Sequence, residues 1–285
     1  MKRFVSLVMV VALVLSLCIG LTGCSKSKGG IVIGIPNDPT NEARALELLE
    51  TLGYITLKDM EGDDVQATVL DIAENPYNIS FKEVEAAQLP SVLQDVDYAI
   101  INSNYAIAAG LSPETTEGTD VAYPNIITVK EGNEKTDKIL ALVAAINSKA
   151  VADYINETYA GAVVCDLENP TDDGIDANVD YDALKGETIK IAASPTPHTD
   201  ILKIAKEILA KKDITLEITE FTDYVQPNNV VEAGEYDANY FQHIPYLENF
   251  NAENGTHLVS ALAVHHEPMG IYLGKQTSLD AIKAQ

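Results

Sequence analysis

Short apolar runs alternate with amphipathic stretches along most of this chain. Ile31–Ile35 (IVIGI), Tyr98–Asn102 (YAIIN), Asn125–Lys130 (NIITVK) and Ile189–Ala193 (IKIAA) are brief apolar runs that predict strands. Ile79–Val84 alternates with strand period, and Ile214–Thr219, Leu258–Val264 and Gly270–Leu273 read as further strands. Between them the period changes. Ala45, Leu48, Leu49 and Leu52 recur at helical spacing after the turn Pro36–Thr40, with Gly53 as the stop. Lys138–Ile146 and Val151–Tyr159 are amphipathic helices, as is Asp200–Lys212, with Ile201, Ile204, Ala205, Ile208 and Leu209 on one side. Shorter helices are predicted at Val65–Ala73, Ala86–Gln94, Tyr105–Ala109 and from Ser278 to Lys283. Strands that alternate with helices predict an α/β fold, with parallel sheets covered by helices.

Two stretches break this rhythm. Asp166–Asp182 holds seven acidic residues and no basic one, with Pro170 and Gly174. It reads as a solvated linker, because its carboxylates do not follow the spacing of a calcium loop. Phe221–Phe250 concentrates aromatic rings in a chain that is only 6% aromatic. Pro227, Gly234 and Pro245 prevent it from forming one long helix. Flat rings with polar tips on loops and strand ends suit either a core segment or the wall of a pocket.

The formal charge of −24 excludes a basic nucleic-acid face. Three cysteines are too few for a disulfide scaffold, and Cys18 and Cys24 lie near the N-terminus, leaving Cys165 alone. Lys2 and Arg3 followed by the apolar run Phe4–Gly20 read as a signal peptide, Met1–Gly23. Leu21-Thr22-Gly23-Cys24 resembles a lipobox, which predicts a lipid-modified Cys24 and a flexible tether over residues 24–30. No phosphate-binding glycine loop, G-x-S-x-G or H-E-x-x-H is present, so no enzyme class is indicated. His265-His266-Glu267 is the most metal-like cluster, but consecutive strand residues cannot all face one site, so no metal and no cofactor is expected.

The segments FTDYVQPN and DANYFQHIPYL, with IPNDPTNEARALELL, VLDIAENP, DVDYAIINSNYAIAAGL and HHEPMGIYLGK, closely resemble the methionine-binding lipoproteins, the solute receptors of bacterial methionine ABC importers. The resemblance spans nearly the whole chain in two blocks, Ile31–Gly161 and Gly186–Gln285, whose order is exchanged relative to that family. The chain thus reads as a circular permutant whose joint is the acidic stretch 164–185, an exposed strap with few contacts. Ile31 and Gln285 are then expected on the same lobe.

The resemblance implies a two-lobed periplasmic-binding-protein-like fold with a ligand cleft between the lobes. One lobe is 31–124 plus 274–285, and the other is 125–273, with Asn125–Val129 and Met269–Leu273 as crossing hinge strands. It further implies that Arg44, the only arginine after Arg3, takes the ligand carboxylate, and that Asn102 and Asn125 contact the zwitterionic end. Tyr224, Phe241, His243 and Tyr246 would wall the thioether. The implied partners are methionine, the permease and ATPase subunits of an ABC importer, and the membrane through a lipid anchor on the extracytoplasmic face. A receptor for another apolar amino acid or small peptide, or a surface adhesion lipoprotein, are the alternative readings.

Overall fold

The computed structural model of this chain describes residues 30–59, 66–118, 123–159 and 161–284. The signal segment, Cys24 and Gln285 lie outside the described residues. The chain opens with β1 (Val32–Pro36), whose apolar side chains are buried, and turns into α1 (Pro39–Thr51). Asp38 caps α1 by accepting from the Asn41 amide at 3.0 Å, and Pro39 supplies the fixed φ of a first helical turn. Gly53, at φ 72°, ends it. A small ribbon of β2 (Thr56–Leu57) and β3 (Ile72–Glu74) follows, and then β4 (Ser80–Val84), α2 (Leu89–Val92), β5 (Tyr98–Ile101), α3 (Ser103–Ala108) and β6 (Thr115–Thr116).

The chain next enters a second sheet through β7 (Pro124–Lys130), α4 (Asp137–Ile146), α5 (Lys149–Tyr159) and β8 (Val164–Cys165). After the acidic stretch come β9 (Thr188–Ala193), α6 (His198–Ala210), β10 (Thr215–Glu220), α7 (Gln226–Glu232), β11 (Ala238–His243), α8 (Ile244–Asn254) and β12 (Leu258–His266). The final strand β13 (Gly270–Leu273) returns to the first sheet and leads to α9 (Asp280–Lys283). The five-stranded sheet has the order β4-β1-β5-β13-β6, and the six-stranded sheet β10-β9-β11-β7-β12-β8. Each sheet is parallel through three strands and antiparallel beyond them. The expectation of purely parallel sheets is therefore corrected to mixed ones. The strands that cross between lobes join antiparallel, because they arrive from the other sheet and not through a helical crossover.

Each sheet buries its own core. Ile33, Leu46, Leu49, Ile100 and Ile271 belong to one, and Ile127, Leu142, Ile191, Leu202 and Tyr240 to the other. The chain crosses between lobes just before Pro124 and again between His266 and Gly270. Gly270–Leu273 is accordingly a strand of the first sheet, paired antiparallel with β5, and not part of the second lobe. Ile282 shares a buried cluster with Ile31, so the two ends of the described chain meet on one lobe.

Two further expectations are corrected. Over 66–73, the described part of the helix expected at Val65–Ala73, Val69–Asp71 is a single 3-10 turn followed by strand β3; Val65 lies outside the described residues. The Thr68–Asp71 capping box closes that turn, and the β-branched Ile72 continues into the ribbon. The acidic stretch is not a bare strap. Val179 and Leu184 are buried in the second core, with Ile175 and Tyr181 packed against it, while Asp172, Asp173, Asp180 and Asp182 face solvent. Its sparse apolar residues anchor what its carboxylates keep wet.

Candidate functional site

The two lobes meet over a cavity whose empty space, counting the part open to solvent, is about 360 Å³. Arg44, Asn102, Asn125, Tyr224, Phe241, His243 and Tyr246 all line it. These seven residues lie between positions 44 and 246 of the sequence and come from both lobes. Asn102 stands at the C-terminal end of β5 and Asn125 near the start of β7, the side of an α/β sheet where ligands are met. Asn41, Ser103, Asn104, Gln242 and Glu267 complete the wall and were not singled out as contacts by the sequence.

The rings form one cluster. Tyr224 stands 5.7 Å from Phe241 and 5.9 Å from Tyr246, and Tyr246 is 6.3 Å from Phe250. Their polar tips are tied down: Tyr224 Oη donates to Asn104 Oδ1 across the cleft at 2.8 Å, and Tyr246 Oη to the Tyr224 carbonyl at 3.1 Å. The Tyr105 hydroxyl bridges the lobes as well, to the Thr222 carbonyl at 2.9 Å. Burial pushes the Tyr224 hydroxyl well above its usual range, so it remains a donor.

The amides are oriented by their neighbours. His243 caps α8, its Nδ1 accepting from the Tyr246 amide at 3.2 Å. Burial, and then the nearby Arg44, hold this imidazole well below its usual pKa, so it is neutral and carries its proton on Nε2. That proton points at Asn41 Oδ1 at 3.4 Å, which also accepts from Asn102 Nδ2 at 2.8 Å. Asn102 is therefore turned so that Oδ1 is left as a buried acceptor with no partner among the described residues. Asn125 is turned the other way. His198, held near pKa 3 by burial, is neutral, and its Nε2 lies 2.9 Å from Asn125 Oδ1. With that oxygen accepting, the Asn125 amide offers its Nδ2 hydrogens. One asparagine presents an acceptor and the other a donor.

Arg44 is only 4% exposed and is already engaged. Its Nε donates to Glu117 at 2.9 and 3.0 Å, and its Nη2 to Glu117 and to the Glu267 carbonyl. The guanidinium also stands 4.3 Å above the Tyr123 ring. Among the described residues these bonds leave the Nη1 hydrogens over. Arg44 is thus one half of a buried ion pair, of which Glu117, an ordinary loop acid in the sequence, gave no sign.

Below the asparagines lies a second polar layer. The Tyr240 hydroxyl bonds His265 Nδ1, and His265 Nε2 lies 2.8 Å from Glu267 Oε1, with His198 Nε2 at 3.8 Å. His265 and Glu267 are two apart on the chain and share a side; His266 turns away to Asp166 at 2.8 Å. Each of these atoms has a hydrogen-bonding role, although their mutual spacing, within 4.8 Å, is also one a metal ion can bridge. The sequence reading missed this because His198 comes from α6.

The family model described as NlpA lipoprotein matches residues 23–166 and 189–285, leaving out nearly all of the acidic stretch. The chain is 45% identical over 139 residues to the membrane lipoprotein TpN32 of Treponema pallidum, covering 47% of this chain and 51% of that protein. It is 40% identical over 141 residues to the D-methionine-binding lipoprotein MetQ of Yersinia pestis, covering 47% and 51%. The chain thus spans about half the length of the curated relatives it matches. Among solved structures, a nutrient-binding protein from Burkholderia cenocepacia bound to methionine is 50% identical over 32% of this chain and 40% of that one, with a TM-score of 0.31. The lipoprotein Tp32 of Treponema pallidum is 45% identical over 46% and 56%, with a TM-score of 0.43.

Proposed function

The chain belongs to the NlpA lipoprotein family, and on that premise we propose that its interlobe cleft captures methionine and presents it to an ABC importer. One observation carries the reading. Asn102 Oδ1 is a buried acceptor with no partner among the described residues, and Asn102 lines the same cavity as Asn125, whose amide oxygen is already engaged. A zwitterion supplies an ammonium to the first and a carboxylate to the second, with the Arg44 Nη1 hydrogens as further donors. Tyr224, Phe241, His243 and Tyr246 offer aromatic edges and faces to a thioether, a soft and unbranched group. The name of one relative, a D-methionine-binding lipoprotein, supports the same class of ligand. The relatives' names are those of lipoproteins and binding proteins, not of enzymes. Bonds that span the cleft support a closed form, the conformation an importer selects.

Lipid attachment at Cys24 on the extracytoplasmic face belongs to this reading. No helix among the described residues is long and apolar enough to cross a membrane. Membrane fractionation of the parent and Cys24→Ser tests it; a variant that stays membrane-bound, with unprocessed chain dominant in both proteins, refutes it. The exchanged block order is read as a circular permutation. The interruption of the family match over 167–188 and the half-length alignments support it.

Isothermal titration with L-methionine, D-methionine and leucine tests the ligand. The reading expects saturable binding of methionine, with leucine at least about tenfold weaker. Equal affinity for leucine would move the assignment to a general apolar amino acid receptor.

A further inference from the structure

Glu267 is the one carboxylate among the described residues that line the cavity. The other acids nearby are spent. Glu117 is locked on Arg44, and Asp38 accepts from both the main-chain and the side-chain nitrogen of Asn41. Glu267 sits after β12, where the chain crosses back to the first lobe, and is 6% exposed. Its neighbours steady it without cancelling its charge. His265 from β12 donates one hydrogen bond, and His198 from α6 stands 3.8 Å away, yet burial keeps both imidazoles neutral. The Arg44 guanidinium from α1 and the Asn104 backbone amide favour the charged form, but Arg44 is already paired with Glu117, and burial outweighs them. A buried carboxylate in this setting lacks a cation.

Resting on the proposed capture of an amino acid, we propose that Glu267 is the counter-charge for the ligand's ammonium group, with Asn102 Oδ1 as its neutral co-acceptor. The pair makes the site select a free α-amine. Ligands with the amine acylated or replaced by hydroxyl lose the charge that Glu267 needs, while their side chain and carboxylate fit unchanged. Burial raises the Glu267 carboxyl, so the empty site holds it more readily with a proton, and an arriving ammonium takes that proton's place. His198 and His265 are positioning residues in this scheme. His265 fixes the carboxylate through its Nε2 hydrogen, and His198 fixes Asn125.

The test crosses one protein change with one ligand change. The parent and Glu267→Gln are titrated with methionine and with its 2-hydroxy analogue, both protein samples treated with chelator. Glutamine keeps the acceptor for His265 but carries no charge and turns N–H groups toward the ammonium. In the parent, methionine should bind at least about thirtyfold more tightly than the hydroxy analogue. In Glu267→Gln that advantage should collapse to about threefold or less, with the hydroxy analogue's own affinity nearly unchanged. Equal affinities in the parent, or an undiminished advantage in the variant, overturns the role of Glu267 while leaving methionine capture intact. Methionine binding that vanishes on chelation and returns with a divalent metal also overturns it, in favour of a metal at His198, His265 and Glu267. A parent that binds neither ligand refutes the capture reading itself, and the proposal with it. If Glu267→Gln fails to fold, the parent's two affinities alone decide.

Discussion

Replacing Arg44 by alanine should first be a stability experiment. The Arg44 side chain is 4% exposed and that of Glu117 is 9%, so the pair is sheltered from solvent screening. Removing the guanidinium leaves the Glu117 carboxylate with the Met269 amide, at 2.7 Å, as its one remaining donor among the described residues. Breaking a buried pair from one side typically costs about 3–5 kcal/mol, because the surviving charge stays buried without its partner. Replacing both, as Arg44→Met with Glu117→Leu, removes the stranded charge and should restore much of that loss. Urea unfolding of the parent, both single variants and the double variant measures this. Far-ultraviolet dichroism and tyrosine fluorescence serve as two probes, since the chain has 13 tyrosines and no tryptophan. A single-variant loss under about 1 kcal/mol, or a double variant as unstable as the two singles added, would refute the reasoning. It would also free Arg44 to act on a ligand carboxylate alone. If the loss appears, any fall in methionine affinity in Arg44→Ala has to be compared with Glu117→Gln before it is assigned to direct contact.

Tyr224→Ala should weaken methionine binding by about 1–3 kcal/mol and relax side-chain selectivity, which calorimetric titration against methionine and leucine reads; unchanged selectivity would remove this ring from the wall. Acid sensitivity should fall in His198→Gln. Burial holds the folded His198 pKa near 3 against an ordinary 6.5, so the unfolded chain binds the extra proton and stability drains away as pH falls through that window. The parent should therefore lose more stability than the variant between pH 7 and pH 4.5, and identical losses contradict this. Leu184→Ala should cost about 2–5 kcal/mol in urea unfolding, because the acidic stretch is anchored in the second core; a loss below about 0.5 kcal/mol would restore the picture of a loose strap.

The helices and strands with long runs were legible because period and length agree, as in α1, α6 and β9. The aromatic stretch was legible as a break, but its division into α7, β11 and α8 was not marked. Pro227 and Pro245 each stand at the start of a helix, where proline is tolerated, so they divide the segment instead of dissolving it. Val65–Ala73 failed because two opposed local signals compete there. Its apolar positions fit a helix, but the Thr68–Asp71 box closes a single turn that β3 then continues as a ribbon with β2. The seven residues that line the cavity were singled out through resemblance, and bringing them together takes both lobes. What stayed hidden were the partners set by long-range packing: Glu117 on Arg44, His198 on Asn125, and Asn41 between His243 and Asn102. No local pattern announces such pairs, because each member comes from a different element.

A cleft that holds a free amino acid should yield it to mass spectrometry of small molecules released from the protein as purified under native conditions. Methionine should appear in near-stoichiometric yield and be lost from a variant in which Asn102 and Asn125 are both replaced by leucine. Release of a ligand without an α-amino acid group, or methionine retained by that variant at the parent's level, would contradict it.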